Sequence, residues 1–407
     1  MNKSYNTIII GAGAAGMLCA ITSAKRGKKV LLLEKLSSVG MKLKATGGGR
    51  CNLTNTLKSE EFMACFGRNG RFMTTALESF NNQDVIEFFH SIGVKTASRD
   101  GFRVFPDSHN SMSIIDGLQK AMSELNITIS CEKEVTSIEV QNSQIVGVKT
   151  LHDNYLCDSV IIATGGKGYP SLGATGDGYE LAKKVGHKVT DIYPAMTPLK
   201  TKESWMESCR GDTMAKVKIV VDMKKHKKLS AVGDLIFTKD GIRGPVVLDF
   251  AREITPLIEK YGEVPLLLNL TKALNEEQIR AKFIDNHTLS CEKVMTSFLP
   301  KPLSLELCKL CDANPDTVFS KLSGVTRDKL IKILAWTPLT ITGDQGFEKA
   351  MITRGGISLK EIDPKTMQSR LIDGLYFCGE VMDLDGPCGG YNLQWSFSSG
   401  YLAGLTI

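Results

Sequence analysis

The sequence predicts an α/β fold in which a discontinuous parallel-sheet domain is interrupted by an inserted antiparallel β-barrel domain and a helical subdomain. Three observations carry this expectation. The first 34 residues read as strand, glycine turn, helix and strand. Near Pro194 the texture changes to short apolar segments divided by Gly, Pro and Lys turns. Finally, the strand-and-turn design of the opening returns close to the C-terminus in GLYFCGE, residues 374–380. A chain that leaves a domain, builds another and returns has this pattern.

Taken in order, Thr7–Ile10 is an unbroken apolar run bounded by glycine, the mark of a strand covered on both faces. A helix follows over 14–25, then Gly27 and a second strand over 30–33. Helical periodicity recurs in NNQDVIEFFHSI (81–92) and SMSIIDGLQKAMSEL (111–125). Residues 127–162 alternate as strands do: one further parallel strand, a small meander and a strand running to Thr164. KVKIVVDM, DLIFT, PVVLDF and VPLLLNL read as short barrel strands, and 272–334 as helices, clearest in NEEQIRAKFIDN, SLELCKLC and TRDKLIKILAW. TPLTITG and AMITRGGISLKEI are strand-like, and NLQWSFSSGYLAGL closes the chain as a helix. The expected organisation is 1–190 and 363–407 for the parallel-sheet domain, 191–271 and 337–362 for the barrel, and 272–336 for the helical subdomain.

With 407 residues, 42% of them hydrophobic, the chain can bury two or three cores. A net charge of +6 favours anionic ligands weakly and does not by itself imply nucleic acid. The densest basic run, Lys224, Lys225, His226, Lys227 and Lys228, reads as a solvated hairpin tip in preference to a nucleic-acid or membrane contact. MNKSYNTIIIGAGAAG enters a strand directly, without the apolar core of a secretory signal, and no run of about 18 apolar residues occurs. A cytoplasmic location without membrane association is therefore expected. Eleven cysteines, an odd number, suit reduced thiols, and Cys308 and Cys311 fall on a leucine-rich helix as buried thiols. The six histidines lack ligand spacing, so no metal site is expected, and no G-x-S-x-G elbow points to acyl transfer.

The chemistry lies in the glycine motifs. Gly11, Gly13 and Gly16 form G-x-G-x-x-G between a strand and a helix, and Glu34 ends the next strand. This is the context of a Rossmann-like dinucleotide site. Gly11 permits the turn, Gly13 admits a pyrophosphate to the backbone, and Gly16 lets the helix pack on the strand. The helix start, with Ala14 and Ala15, offers free N–H groups to phosphate, and Glu34, followed by Lys35, can accept from ribose hydroxyls. NAD and FAD share this fingerprint. SVIIATGG, with Thr164 and Gly165, and GLYFCGE, with Gly379 and Glu380, favour FAD, because the arrangement resembles the two-dinucleotide-binding flavoproteins, in which the last strand's acid reaches the ribityl or pyrophosphate region. No second complete fingerprint is present, so NADH or NADPH would bind only transiently.

ATGGGRCNLTN (45–55), ATGGKGYPSLGATGDGYELAKKVGH (163–187), FTKDGIRGPVVL (237–248) and GEVMDLDGPCGGYNLQWSFSSGYLAG (379–404) together resemble the BaiN/YhiN-type bacterial flavoproteins, often labelled aminoacetone-oxidase-like or NAD(P)/FAD-dependent oxidoreductases. The resemblance spans essentially the whole chain. It implies a two-segment FAD domain with an inserted barrel and a helical subdomain. It assigns Gly11, Gly13, Gly16 and Glu34 to the adenosine and pyrophosphate end. Gly49, Arg50, Cys51 and Asn52 fall to the loop along the flavin, and Glu380, Gly389, Gly390, Tyr391 and Asn392 to the ribityl and isoalloxazine end. One position departs from the pattern: where the family usually shows serine in FTKDGIRGP, this chain has Arg243.

The flavin carries the redox chemistry in such enzymes, and protein groups orient substrate and exclude competing reactions. Tyr391 and Tyr169 are the candidate proton donors, with packing against the ring the competing reading for Tyr391. Arg243 and Arg354 are candidates for binding a substrate carboxylate or polarising a carbonyl, with a surface position the competing reading, and Cys51 is a candidate charge-transfer thiol. Three functions compete. The first is NAD(P)H-linked reduction of an activated C=C bond in an enone or dienone, with a bile-acid or steroid-like small molecule implied by the resemblance. The second is oxidation of a small amine such as aminoacetone. The third is an FAD-containing RNA-binding or RNA-modifying protein, with the lysine run as its contact.

Overall fold

The computed structural model describes residues 3–407 and divides into two units. The chain up to Tyr193 and Ile352–Ile407 form the first; Pro194–Met351 form the second.

In the first unit, β1 (Lys3–Ile10) leads through a turn into α1 (Ala14–Lys25) and β2 (Val30–Leu33), followed by α2 (Met41–Gly49). Further along come β3 (Thr128–Ser130), β4 (Val135–Gln141), β5 (Gln144–Thr150) and β6 (Asn154–Ile162). The second segment contributes β7 (Leu375–Phe377) and α3 (Tyr391–Thr406). The sheet order is β3-β2-β1-β6-β5-β4, with β7 also pairing with β6. Strands β3, β2, β1, β6 and β7 run parallel, while β4 and β5 are the antiparallel meander. The central strands are apolar because both faces are covered: Ile8, Ile9, Leu32, Val160 and Ile161 are wholly buried. Helix α3 lies against α1. A Cβ on Gly400 would stand 2.4 Å from the Ala15 carbonyl oxygen, and one on Gly404 2.7 Å from that of Cys19, so only glycine allows this approach.

The second unit is built on a closed antiparallel barrel of Leu199–Thr201, Gly241–Arg243, Ser230–Phe237, Thr213–Val221, Val264–Asn269 and Thr337–Asp344, in that spatial order. Its core is continuous with helices Glu276–Asp285, Cys291–Met295, Lys301–Leu310 and Gly324–Ala335. Cys308 and Cys311 are buried in that core, and all eleven cysteines are free thiols. The run Lys224–Lys228 caps an antiparallel hairpin, with its four lysines exposed.

Two expectations need correction. PVVLDF is not a strand but the start of a helix, Pro245–Tyr261. Pro245 occupies the first helical turn, where its missing N–H costs nothing, and Val246, Val247, Phe250, Ala251, Ile254 and Leu257 repeat at helical spacing into the core. Residues 352–362, expected with the barrel, belong to the parallel-sheet unit. Their backbone is tied there: Ile357 N–H donates to the Val381 carbonyl and Thr190 N–H to that of Gly356, each at 2.9 Å. No helix among the described residues is long and apolar enough to cross a membrane.

Candidate functional site

The site follows from the strand register. Ile10 pairs with Leu33 on one side and with Ile162 on the other, and Ile162 pairs with Phe377. Four segments far apart in sequence therefore leave the sheet along one carboxyl edge: Gly11–Gly16, Glu34, Thr164–Gly165 and Gly379–Glu380. In open α/β sheets this edge is where ligands bind.

At the first turn the three glycines have different reasons. Gly11 has φ +103°, and its Cβ would lie 2.7 Å from the Ala163 carbonyl oxygen; a Cβ on Gly16 would lie 1.9 Å from that of Gly11. Both are demanded by the protein itself. Gly13 is not: its φ is −82°, and a Cβ there would have nothing within 4 Å. Open space at the start of α1 fits a phosphate pressed against the backbone, with the N–H groups of Ala14 and Ala15 in the first turn. Glu34 lies beside it, Oε2 accepting from Ala12 N–H at 2.8 Å and Oε1 from Leu36 N–H at 3.0 Å. The remaining lone pairs of that carboxylate suit ribose hydroxyls. Lys35 is engaged elsewhere, its ammonium held by Thr175 and Asp177.

Thr164 Oγ1 is buried without a partner just past β6, and Gly165 follows at φ +72°. Gly379 packs its backbone near Ala15 and donates its N–H to Ser399 at 2.9 Å. Glu380 accepts from Thr353 N–H at 2.8 Å and from the Lys42 ammonium at 2.9 Å, with its side chain 15% exposed. Lys42 was not anticipated, and no local signal marks it, since only folding brings α2 to residue 380. Tyr179 and Asp383 were missed for the same reason. Burial, with the Glu380 charge nearby, pushes the Tyr179 phenol well up; burial also raises the Asp383 carboxyl, against the Thr190 hydroxyl and the cations of Arg354 and Arg68.

Helix α2 breaks at Thr46 (ψ 145°), and Gly47, Gly48 and Gly49 follow at φ +58°, +65° and +84°. The Arg50 Nε donates to the Gly47 carbonyl at 3.1 Å, and the exposed guanidinium lies 5.4 Å over the Phe105 ring. Cys51 is wholly buried, and burial pushes its thiol up to about 12, with a Thr46 hydrogen bond opposing, which disfavours the thiolate that a charge-transfer role needs. Asn52, with its amide turned to satisfy both ends, donates to the Val104 and Thr54 carbonyls and accepts from Gly390 N–H at 3.0 Å.

The last motif locks onto this loop. Asn55 donates to the Gly389 carbonyl at 3.0 Å, and the Asn392 amide closes its own turn on Gly386 N–H at 2.8 Å and the Gly386 carbonyl at 2.9 Å. Tyr391 is buried among Phe62, Phe66 and Phe102, with the Cys65 thiol 3.5 Å from its hydroxyl. Tyr169 is half-buried in the left-handed region at φ +58°, a conformation that costs a non-glycine residue roughly 1–2 kcal/mol. Arg243 is exposed on its barrel strand in the second unit, opposite Ile236, and Arg354 is half-buried in the first.

The description of the HI0933-like protein Rossmann domain matches residues 5–406. The 3-dehydro-bile acid delta(4,6)-reductase of Clostridium scindens is 32% identical over 404 residues, covering 97% of each chain. A ribosomal RNA dihydrouridine synthase of Haemophilus influenzae is 31% identical over 412 residues, covering 100% of this chain and 99% of that one. Among solved structures, the 3-ketosteroid delta1-dehydrogenase of Sterolibacterium denitrificans superposes with a TM-score of 0.54 at 13% identity, covering 99% of both chains, a likeness of fold. Together these bear out the resemblance to BaiN/YhiN-type flavoproteins. By the match across residues 5–406 and the full-length relatives above 30% identity, this chain belongs to the HI0933-like family of FAD-dependent oxidoreductases.

Proposed function

We propose that this protein reduces a carbon–carbon double bond conjugated to a carbonyl, with NADH or NADPH as donor and a steroid-like enone as substrate. The observation that carries it is the full-length relative named as a bile-acid reductase, combined with a strand-edge constellation whose residues fit FAD. FAD, when bound, supplies hydride transfer. The chain's own residues do the rest. Gly13 and the first turn of α1 receive the pyrophosphate, and Glu34 holds the ribose while fixing the turn through Ala12. The Lys42–Glu380–Thr353 bridge holds the ribityl end. The first turn of α3 faces the flavin carbonyl side with the positive end of its helix dipole. Tyr169 serves as proton donor to the carbon next to the one reduced. The Tyr391 hydroxyl sits against Cys65 in a phenylalanine cluster, an environment that favours packing over acid catalysis.

The test is anaerobic mixing of holoenzyme with NADH or NADPH, followed by a steroid enone. Bleaching of the flavin and its return on adding the enone support the proposal. Peroxide formation from aminoacetone, without bleaching by either nicotinamide, rejects it in favour of amine oxidation.

A second reading has its own support. The C5=C6 bond of uracil is also conjugated to a carbonyl, and a relative that aligns across this whole chain is named a ribosomal RNA dihydrouridine synthase. The exposed Lys224, Lys225, Lys227 and Lys228 would then contact RNA phosphates. Salt-sensitive binding of unmodified ribosomal RNA, abolished by changing these lysines to glutamate, would favour that substrate.

A further inference from the structure

We infer that Arg50 anchors an oxyanion of the substrate, a carboxylate or a phosphate, beside the Gly47–Gly49 loop; this rests on reading that loop as bordering the flavin. Two contacts hold the guanidinium group. Its Nε donates to the Gly47 carbonyl at 3.1 Å, and its Cζ lies over Phe105, 5.4 Å from the ring centre. The terminal nitrogens are left exposed, without an acceptor among the described residues. A planar fork held this way is pre-organised for two parallel hydrogen bonds to a carboxylate or phosphate.

The neighbouring charges single out Arg50. Arg103 lies over the same ring at 6.0 Å, but its Nε is bound to the Asp100 carboxylate at 2.6 Å. The Asp100 carboxyl is held down at about 2 by that partner, so the Arg103 charge is matched within the protein. The other nearby acid, Asp107, is paired with Arg99 at 3.3 Å. Arg50 pairs with no carboxylate among the described residues. Beside it, the His109 ring lies nearly parallel to Phe105, 5.8 Å away, in a left-handed backbone at φ +52°, with Nε2 buried and unpartnered. Arg50 is therefore a cation without a carboxylate partner among the described residues, next to Gly48 and Gly49, where a Cβ would meet nothing within 4 Å. The pyrophosphate has its own receiver at Gly13, on the edge defined by the strand register.

The experiment titrates oxidised holoenzyme and reads the flavin difference spectrum. One arm uses a steroid enone bearing a side-chain carboxylate and its methyl ester; the other uses a uridine-containing RNA oligonucleotide and free uridine. In the wild type, the anionic ligand of one arm should bind about tenfold tighter or more than its neutral counterpart. In Arg50→Ala that ratio should fall to near one, and in Arg50→Lys, which keeps the charge without the fork, it should lie between. A preference in the first arm identifies a small carboxylate, and in the second a nucleic-acid phosphate. The inference is overturned if the ratio is unchanged in Arg50→Ala, if the wild type prefers neither anion, or if Arg50→Ala loses FAD, which would make the arginine a cofactor ligand. Arg50-dependent binding with no reoxidation of pre-reduced flavin would instead reject the reductase proposal while leaving the anchor in place.

Discussion

Gly13 and Gly48 both have open space where a side chain would stand, yet they are glycines for different reasons. Gly48 sits at φ +65°, where any side chain strains the backbone whether or not a ligand is present. Gly13 sits at φ −82°, where alanine would be comfortable in the protein alone. Gly16 shows a third case, a position that the fold fills with the Gly11 carbonyl. A glycine demanded by backbone geometry says nothing of a ligand; a glycine the fold does not need points outward.

Substitutions separate these cases. Gly16→Val should have the largest effect, because its Cβ would stand 1.9 Å from a backbone oxygen; loss of soluble, cooperatively melting protein is expected. Gly13→Leu comes next, and it sharpens the contrast. Flavin retention should fall about tenfold or more, while the melting temperature of the apoprotein stays within about 2 °C of wild type. If the apoprotein melts as far down as Gly16→Val does, the two positions are alike after all. Gly48→Ala should be mildest, costing roughly 1–2 kcal/mol in urea unfolding while the protein stays yellow. Loss of FAD in Gly48→Ala at unchanged stability would erase the distinction.

What the sequence shows depends on how local each cause is. The β1-α1-β2 opening and Glu34 were legible because strand, turn and helix signals sit within 34 residues. The barrel was legible as a change of texture, but PVVLDF was not, since a short apolar run fits a strand and the start of a helix equally well. Position in the site was harder still. Cys51 looks reactive between Arg50 and Asn52, and only the packing around it shows a buried neutral thiol. Lys42 carries no motif and matters through a carboxylate 338 positions away.

The bonds from Asn52 to Gly390 and from Asn55 to Gly389 also set an order of events during synthesis. The Gly11–Gly16 turn and the glycine loop emerge from the ribosome early, but β7, Glu380 and the Gly389–Asn392 turn come only after the whole barrel unit has been made. Until then, β6 lacks its β7 neighbour and Asn52 lacks the Gly390 N–H that its amide oxygen accepts from. Assembly of the strand edge thus waits on synthesis of the second unit, and a nascent chain stalled before residue 375 would lack β7, Glu380 and the Gly389–Asn392 turn.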